Sequence, residues 1–387
     1  VTTPDENPHT TPRPAPAAPA PAAEAPDGPA PQATDGPAPQ AAPDHAPATP
    51  AAPAAPSAPA APEAPAVDTT PSRELRTALA SVRGEVGKAV VGQDSAVTSL
   101  LIALLCSGHV LLEGVPGVAK TLLVRSLAAS LDLSDKRVQF TPDLMPGDVT
   151  GSLVYDARTA EFSFREGPVF THLMLADEIN RTPPKTQASL LEAMEERQVS
   201  VDGEPRPLPD PFMVIATQNP VEHEGTYPLP EAQLDRFLLK VVLPLPERDH
   251  EIEVLARHAA GFDPRDLAAA GVRPVAGRDV LAAARAEVRR VQVAPEVLGY
   301  AVDVCRATRT SPSLELGVSP RGATALLATS RAWAWLSGRG YVTPDDVKAL
   351  AHPTLRHRVQ LRPEAELEGV TAESVLSSVL ASVPVPR

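Results

Sequence analysis

The sequence predicts an α/β protein in three parts: a disordered Pro/Ala-rich acidic tail over residues 1–71, a parallel β-sheet flanked by helices over 72–246, and a small all-helical domain over 247–387. Three observations predict it. Composition breaks at residue 71: before it stand 21 of the chain's 46 prolines and 23 alanines, and no Leu, Ile, Met, Phe, Trp, Tyr, Cys or Lys. From there to Pro246, short apolar runs alternate with helical periodicity, the pattern of strands buried on both faces of a parallel sheet. After Pro246 the strand-like runs stop and only helical patterns follow.

The tail has no large apolar side chains whose burial could offset backbone ordering. Its Ala-Pro, Ala-Ala-Pro and Asp-Gly-Pro units read as a semi-stiff tether, with a polyproline ligand as the alternative. It carries eight acids and one base, Arg13, so over half of the net charge of −13 lies here. Neither part of the chain is basic, which makes nucleic acid an unlikely partner and argues against a polybasic membrane binder. Cys106 and Cys305 sit in apolar, helix-like stretches and read as buried reduced thiols. No apolar run approaches the ~18–20 residues of a membrane span, so no transmembrane segment is expected. Without a basic stretch leading into an apolar one, no secretory leader is expected either, and a cytoplasmic location fits.

The remaining elements follow in order. Residues 72–90 read as a helix capped by Ser72 with Glu74 in its first turn, and 95–107 as a second, strongly apolar helix. Strands are expected at 110–113, 137–140, 172–176, 212–217 and 237–243, with helices at 121–131 and 186–197. Two stretches alternate polar and apolar residues about a turn and predict β-hairpins: 152–164, and 198–208 with Asp202 and Gly203 at its tip. C-terminal helices are expected at 248–260, 279–291, 295–306, 320–336, 344–351 and 372–382. Ser319 before Pro320 and Thr343 before Pro344 mark two helix starts, an oxygen-bearing cap followed by proline.

Gly114, Val115, Pro116, Gly117, Val118, Ala119, Lys120 and Thr121, followed by Leu122, lie between an expected strand and an expected helix. That is the setting of a phosphate-binding loop, where backbone amides and a helix N-terminus face an anion. Lys120 would reach the β- and γ-phosphates of ATP and the Thr121 hydroxyl would hold Mg²⁺. Ala119 stands where glycine is usual, and an ordinary Gly-Pro strand-to-helix turn is the alternative reading. The apolar run 173–176 ends in Asp177 and Glu178. Acids at the carboxyl end of a parallel strand emerge into the ligand crevice. Asp177 would position Mg²⁺, and Glu178 would polarise the water that attacks the γ-phosphate; a solvated acidic strand end is the alternative.

From Ser72 onward these residues resemble the MoxR-type AAA+ ATPases. The resemblance rests on Val91, Gly92 and Gln93; on the loop 114–121, whose Ala119 is usual in that family; on the strings 176–181, 216–220 and 224–237; and on Ser319, Pro320, Arg321 and Gly322. It implies a P-loop AAA+ fold with a helical lid, and ATP hydrolysis with Mg²⁺ by a homo-oligomeric ring, a hexamer. It places Val91, Gly92 and Gln93 beside the adenine, and Asn219 at the γ-phosphate as the first sensor. Arg321 becomes the second sensor, reaching the nucleotide from the lid. Arg236 becomes the arginine finger supplied to a neighbouring subunit, with Arg181 as a second candidate; either could instead be a structural ion-pair partner. The two hairpins match insertions of the helix-2-insert branch, with Tyr155, Phe162 and Phe164 as apolar contacts. The implied work is chaperone-like remodelling of partner proteins with von Willebrand factor A domains. A magnesium-chelatase ATPase subunit would share all these residues. A non-hydrolysing nucleotide-gated module is disfavoured by intact Lys120, Asp177, Glu178 and Asn219, and a helicase by the acidic body.

Overall fold

The computed structural model describes residues 71–219 and 225–386; all but Pro71 of the expected tail lies outside them. Helices α1 (Arg73–Gly87) and α2 (Asp94–Leu105) precede β1 (Val110–Glu113), α3 (Lys120–Ser130) and β2 (Asp135–Gln139). A short α4 (Pro146–Thr150) leads into β3 (Gly151–Asp156) and β4 (Glu161–Glu166), then β5 (Leu173–Asp177), a 3₁₀ turn (Ile179–Arg181) and α5 (Pro184–Glu196). There follow β6 (Gln198–Val201), β7 (Glu204–Pro207), β8 (Met213–Gln218), α6 (Glu231–Leu234) and β9 (Leu239–Val242). After β9 come α7 (Arg248–Ala259), α8 (Arg278–Arg290), α9 (Pro295–Arg309), β10 (Leu314–Leu316), α10 (Pro320–Leu336), α11 (Pro344–Leu355), β11 (Gln360–Leu361), α12 (Pro363–Leu367) and α13 (Ala372–Ser382), the C-terminal, mostly helical part.

The five strands expected from apolar runs form one parallel sheet in the order β2-β5-β8-β1-β9. Side chains of the central strands β1, β5 and β8 alternate between two cores, so these strands show no polar face, whereas the edge strand β2 leaves Asp135, Lys136 and Arg137 exposed. Val110, Leu112, Leu173, Leu175, Met213 and Ile215 join α1, α2, α3 and the lid helices. Leu111, Met174, Ala176, Val214 and Ala216 pack with Leu190, Leu191 and Met194 of α5. Burying a side chain of Leu or Ile size contributes about 1.5–3 kcal/mol, so both faces must be covered. Helix α2 is buried nearly all round, from Ala96 to Leu105, which accounts for its apolar sequence.

Both hairpins form, as β3–β4 and β6–β7. Asp202 and Gly203 turn the second with φ of 54° and 78°, the left-handed pair that a two-residue turn between twisted strands demands. The hairpins meet where the Arg206 guanidinium stacks 4.3 Å from the centre of the Phe164 ring.

The expectation of a wholly helical C-terminal part needs one correction. β10 and β11 pair antiparallel, with a register shift between Leu314 and Leu316. Strands of three and two residues are too short to carry a period of two. The other short elements, α4, α6 and α12, were equally invisible to periodicity.

Residues 71 onward form one compact unit. The larger core runs without a break from Leu79 to Val383. Polar clasps add to it. Arg285 of α8 buries its side chain, donating from Nε to Leu104 O (2.7 Å) and from Nη1 to Asp210 Oδ1 (3.0 Å). Both thiols are free. Burial pushes Cys106 up to about 12 and Cys305 up to about 11, so neither is a nucleophile at neutral pH.

His109, just before β1, is a buried neutral base. Its Nε2 bonds Met194 O (3.0 Å) and its Nδ1 accepts from the Val214 amide (2.9 Å). Burial pulls its pKa down to about 4, partly opposed by the bond to Met194 and helped by Arg197. His357 is pushed down in the same sense, again chiefly by burial. A histidine whose folded pKa lies below its unfolded one adds stability that is full above about pH 6.5. That stability is lost as pH falls from there through about 4, where protonation must break the ring's acceptor bond. Thermal unfolding followed by circular dichroism should therefore show a falling Tm across this window. His109 alone should contribute about 3 kcal/mol, and the fall should be shallower in His109→Gln.

Candidate active site

β1, β5 and β8 end at the same edge of the sheet, and the loop after each meets there. After Glu113 the chain turns through 114–119 into α3. Gly117 (φ 90°) and Ala119 (φ 59°) are both left-handed. That conformation turns successive amides toward one point, and among the described residues nothing accepts a hydrogen bond from the amides of 117–122. Such a concave row of donors at a helix N-terminus suits an anion. Lys120 Nζ donates to Gly114 O at 2.8 Å. Partial burial lowers its pKa, and the nearby carboxylates of Asp177 and Glu178 oppose this.

The two acids are held by different partners. Asp177 Oδ1 accepts from the Thr217 hydroxyl (2.6 Å), and Oδ2 from Arg137 Nε (3.1 Å) and Nη2 (2.7 Å). Glu178 leaves the strand in a left-handed conformation, φ 58°, which costs a non-glycine residue about 1–2 kcal/mol. Its amide donates to the same Thr217 hydroxyl at 2.9 Å. Its Oε2 accepts from Gln139 Nε2 (2.6 Å) and pairs with Arg181 Nε (3.2 Å). Asn219, buried, follows β8 directly.

Pro116 to Leu122, Asp177, Glu178 and Asn219 line one cleft of about 880 Å³. Val91 and Gln93 line its other end, where Val90, Leu255 and Phe262 supply apolar walls. Gly92 lies between two lining residues with the His250 ring against it, while Gly114 and Val115, expected at the nucleotide, do not line the cleft.

The structure does not bring Arg236 or Arg321 to this cleft. Both lie in a second cavity of about 310 Å³. Arg236 Nε reaches Glu195 Oε2 (3.1 Å) and Arg321 Nη1 reaches Glu195 Oε1 (3.3 Å). Arg321 was expected to reach the nucleotide from the lid. The start of α10 is held elsewhere, by Ser319 donating to Asp235 Oδ2 (3.1 Å) and by the pair with Glu195.

The family described as "ATPase family associated with various cellular activities (AAA)" matches residues 109–239, and the AAA lid domain matches 306–379. The chain is 47% identical to protein YeaC of Bacillus subtilis, over 81% of this chain and 96% of that one. It is 41% identical to the chaperone MoxR1 of Mycobacterium tuberculosis, over 78% and 81%. The chain belongs to the MoxR family of AAA ATPases. The crystal structure of a Cytophaga hutchinsonii protein has the same fold, with a TM-score of 0.74, 39% identity and coverage of 81% of this chain and 96% of that one.

Within this MoxR-family site, sequence reading overlooked Arg137, Gln139, Glu195 and Thr217. Only Thr217 left a trace, as a hydroxyl at the end of an otherwise apolar strand; the others matter through cross-strand and interhelix neighbours. Two opposite substitutions probe the loop. At Gly117 an added Cβ meets nothing within 4 Å, so Gly117→Ala changes only backbone preference and should destabilise by about 1 kcal/mol. Ala119→Gly should leave stability unchanged or raise it by a similar amount. Differential scanning fluorimetry of the nucleotide-free proteins checks both signs.

Proposed function

We propose that the cleft binds ATP with Mg²⁺ and hydrolyses it to ADP and phosphate, and that the cycle drives chaperone-like remodelling, assembly or activation of partner proteins. One observation carries this reading: the unpaired loop amides, Lys120, Asp177, Glu178 and Asn219 converge on one cleft from three adjacent strand ends. The donor set suits a triphosphate. The amides of 117–122 and Lys120 would hold the β- and γ-phosphates, and the apolar end beside Val91, Gly92 and Gln93 would take the base. Among the described residues no group of three or more His, Cys, Asp or Glu could hold a metal by itself. Mg²⁺, which reluctantly gives up its waters, would share Thr121 and Asp177 with phosphate oxygens. When bound it would neutralise phosphate charge.

Glu178 is the general base in this reading. Gln139 and Arg181 orient its carboxylate. Asn219 would orient that water without competing for its proton. Arg236 would stabilise the charge of the transferring phosphoryl group in a neighbouring subunit. The shared pairing with Glu195, outside its own cleft, supports this and makes Arg321 its companion there. The protein would then act as a ring, a hexamer on the family's pattern, in the cytoplasm. Partners with von Willebrand factor A domains fit what the MoxR resemblance implies. We divide the chain functionally at Pro246, with the nucleotide-binding part before it and the lid after it.

Glu178→Gln tests the assignment. It should retain ATP affinity and assembly while turnover, measured as phosphate release, falls by about 100-fold or more. Undiminished turnover would remove Glu178 as the base.

A further inference from the structure

Arg358 lies just beyond α11, and its side chain is only 3% exposed. Every nitrogen of its guanidinium is engaged. Nε donates to Asp235 Oδ1 (2.6 Å), Nη1 to Leu238 O (3.1 Å) and Thr354 O, and Nη2 to Phe237 O (2.7 Å) and Asp235 O (3.3 Å). The acceptors on 235, 237 and 238 straddle Arg236. That stretch belongs to neither α6 nor β9; turn bonds, the Leu238 amide donating to His109 O (2.8 Å) and this fork hold it. His357 adds a bond from Nε2 to Phe237 O at 2.9 Å.

The second oxygen of Asp235 accepts from Ser319, whose hydroxyl also caps α10 by accepting from the Gly322 amide (3.2 Å). Arg321 is the second residue of that helix. Gly322 lets the helix's first turn rest on the Arg358 stem: a Cβ there would stand 3.0 Å from Arg358 Cδ and 2.5 Å from Val318. One carboxylate thus ties the base of Arg236, the base of Arg321 and a buried cation from the far end of the lid.

We infer that Arg358, through Asp235, is a positioning residue that presents Arg236 and Arg321 as a matched pair to a neighbouring subunit. The inference rests on the proposal that these arginines serve a neighbour's nucleotide. The clasp fixes both anchor points while leaving each guanidinium tip partly exposed on Glu195. Only a planar, multi-donor cation can bind five acceptors in this way, so lysine cannot replace it.

Subunit mixing tests this in the full chain. Arg358→Lys should bind a fluorescent ATP analogue with affinity within about twofold of the parent, yet turn over at least about tenfold more slowly. Mixed in equal amounts with Glu178→Gln, which offers intact arginines but no base, it should exceed the summed activity of the two alone by about threefold or more. Arg236→Ala mixed with Glu178→Gln runs in parallel. Rescue of both supports the clasp. Rescue of Arg236→Ala alone would overturn it, because Arg358 would then serve only its own subunit. Rescue of neither would remove the trans role of Arg236, and the clasp with it. Full activity of Arg358→Lys alone would also overturn it. If that variant fails to fold, Asp235→Asn enters the same mixing assay with the same outcomes.

Discussion

The Thr217 hydroxyl sits between the two acids of the cleft, donating to Asp177 and accepting from the Glu178 amide. It can do so because β5 and β8 run parallel in register, with Ala176 opposite Ala216. One hydroxyl thereby fixes the Asp177 carboxylate and stabilises the left-handed turn at Glu178. The turn redirects the chain into the 3₁₀ segment, whose Asn180 carbonyl accepts from the Tyr227 amide at 2.6 Å. On the other side of β8, Leu112 pairs with Thr217 and Glu113 with Gln218, so the phosphate-loop candidate leaves β1 beside Asn219. Slip either register and the loop, the acids and Asn219 no longer share a cleft.

Charge is partitioned by the same scaffold. Inside the cleft, carboxylates face cations of their own chain: Asp177 faces Arg137, and Glu178 faces Arg181. On the far side of α5, two arginines converge on the single carboxylate of Glu195. These are partly exposed pairs, worth at most about 1 kcal/mol each, and readily exchanged for a stronger anion. The buried Arg285 and Arg358 clasps are of another kind. Removing Asp210 or Asp235 would leave a buried guanidinium unpaired, so these bonds hold α8 against α2 and the end of α11 against the stretch before β9. The molecule thus combines rigid clasps at its joints with exchangeable pairs at its reactive edges.

Much of this was legible in the sequence, for reasons that can be named. Apolar runs located β1, β5, β8 and β9, and most clearly the three central strands, because both of their faces are buried. Proline after an oxygen-bearing cap placed the starts of α10 and α11. Asp202-Gly203 located a hairpin because few residue pairs tolerate two left-handed conformations. What stayed hidden was of two kinds. Elements of two to five residues, such as β10, β11 and α12, are too short to show a period. Arg137, Gln139 and Glu195 gain their meaning from neighbours far away in the chain. The direction in which the lid folds back, which takes Arg321 to Glu195 rather than to the phosphate loop, is a tertiary property with no local signal.

On the proposed function one chain holds an incomplete site, with Glu178 and the phosphate-loop candidate in one cleft and Arg236 and Arg321 in another cavity. The most direct measurement is ATPase turnover per chain across a dilution series, with mass photometry reporting assembly at each concentration. Turnover should rise with assembly and level off once rings are complete. Turnover per chain that stays constant as rings dissociate to single chains would contradict the account.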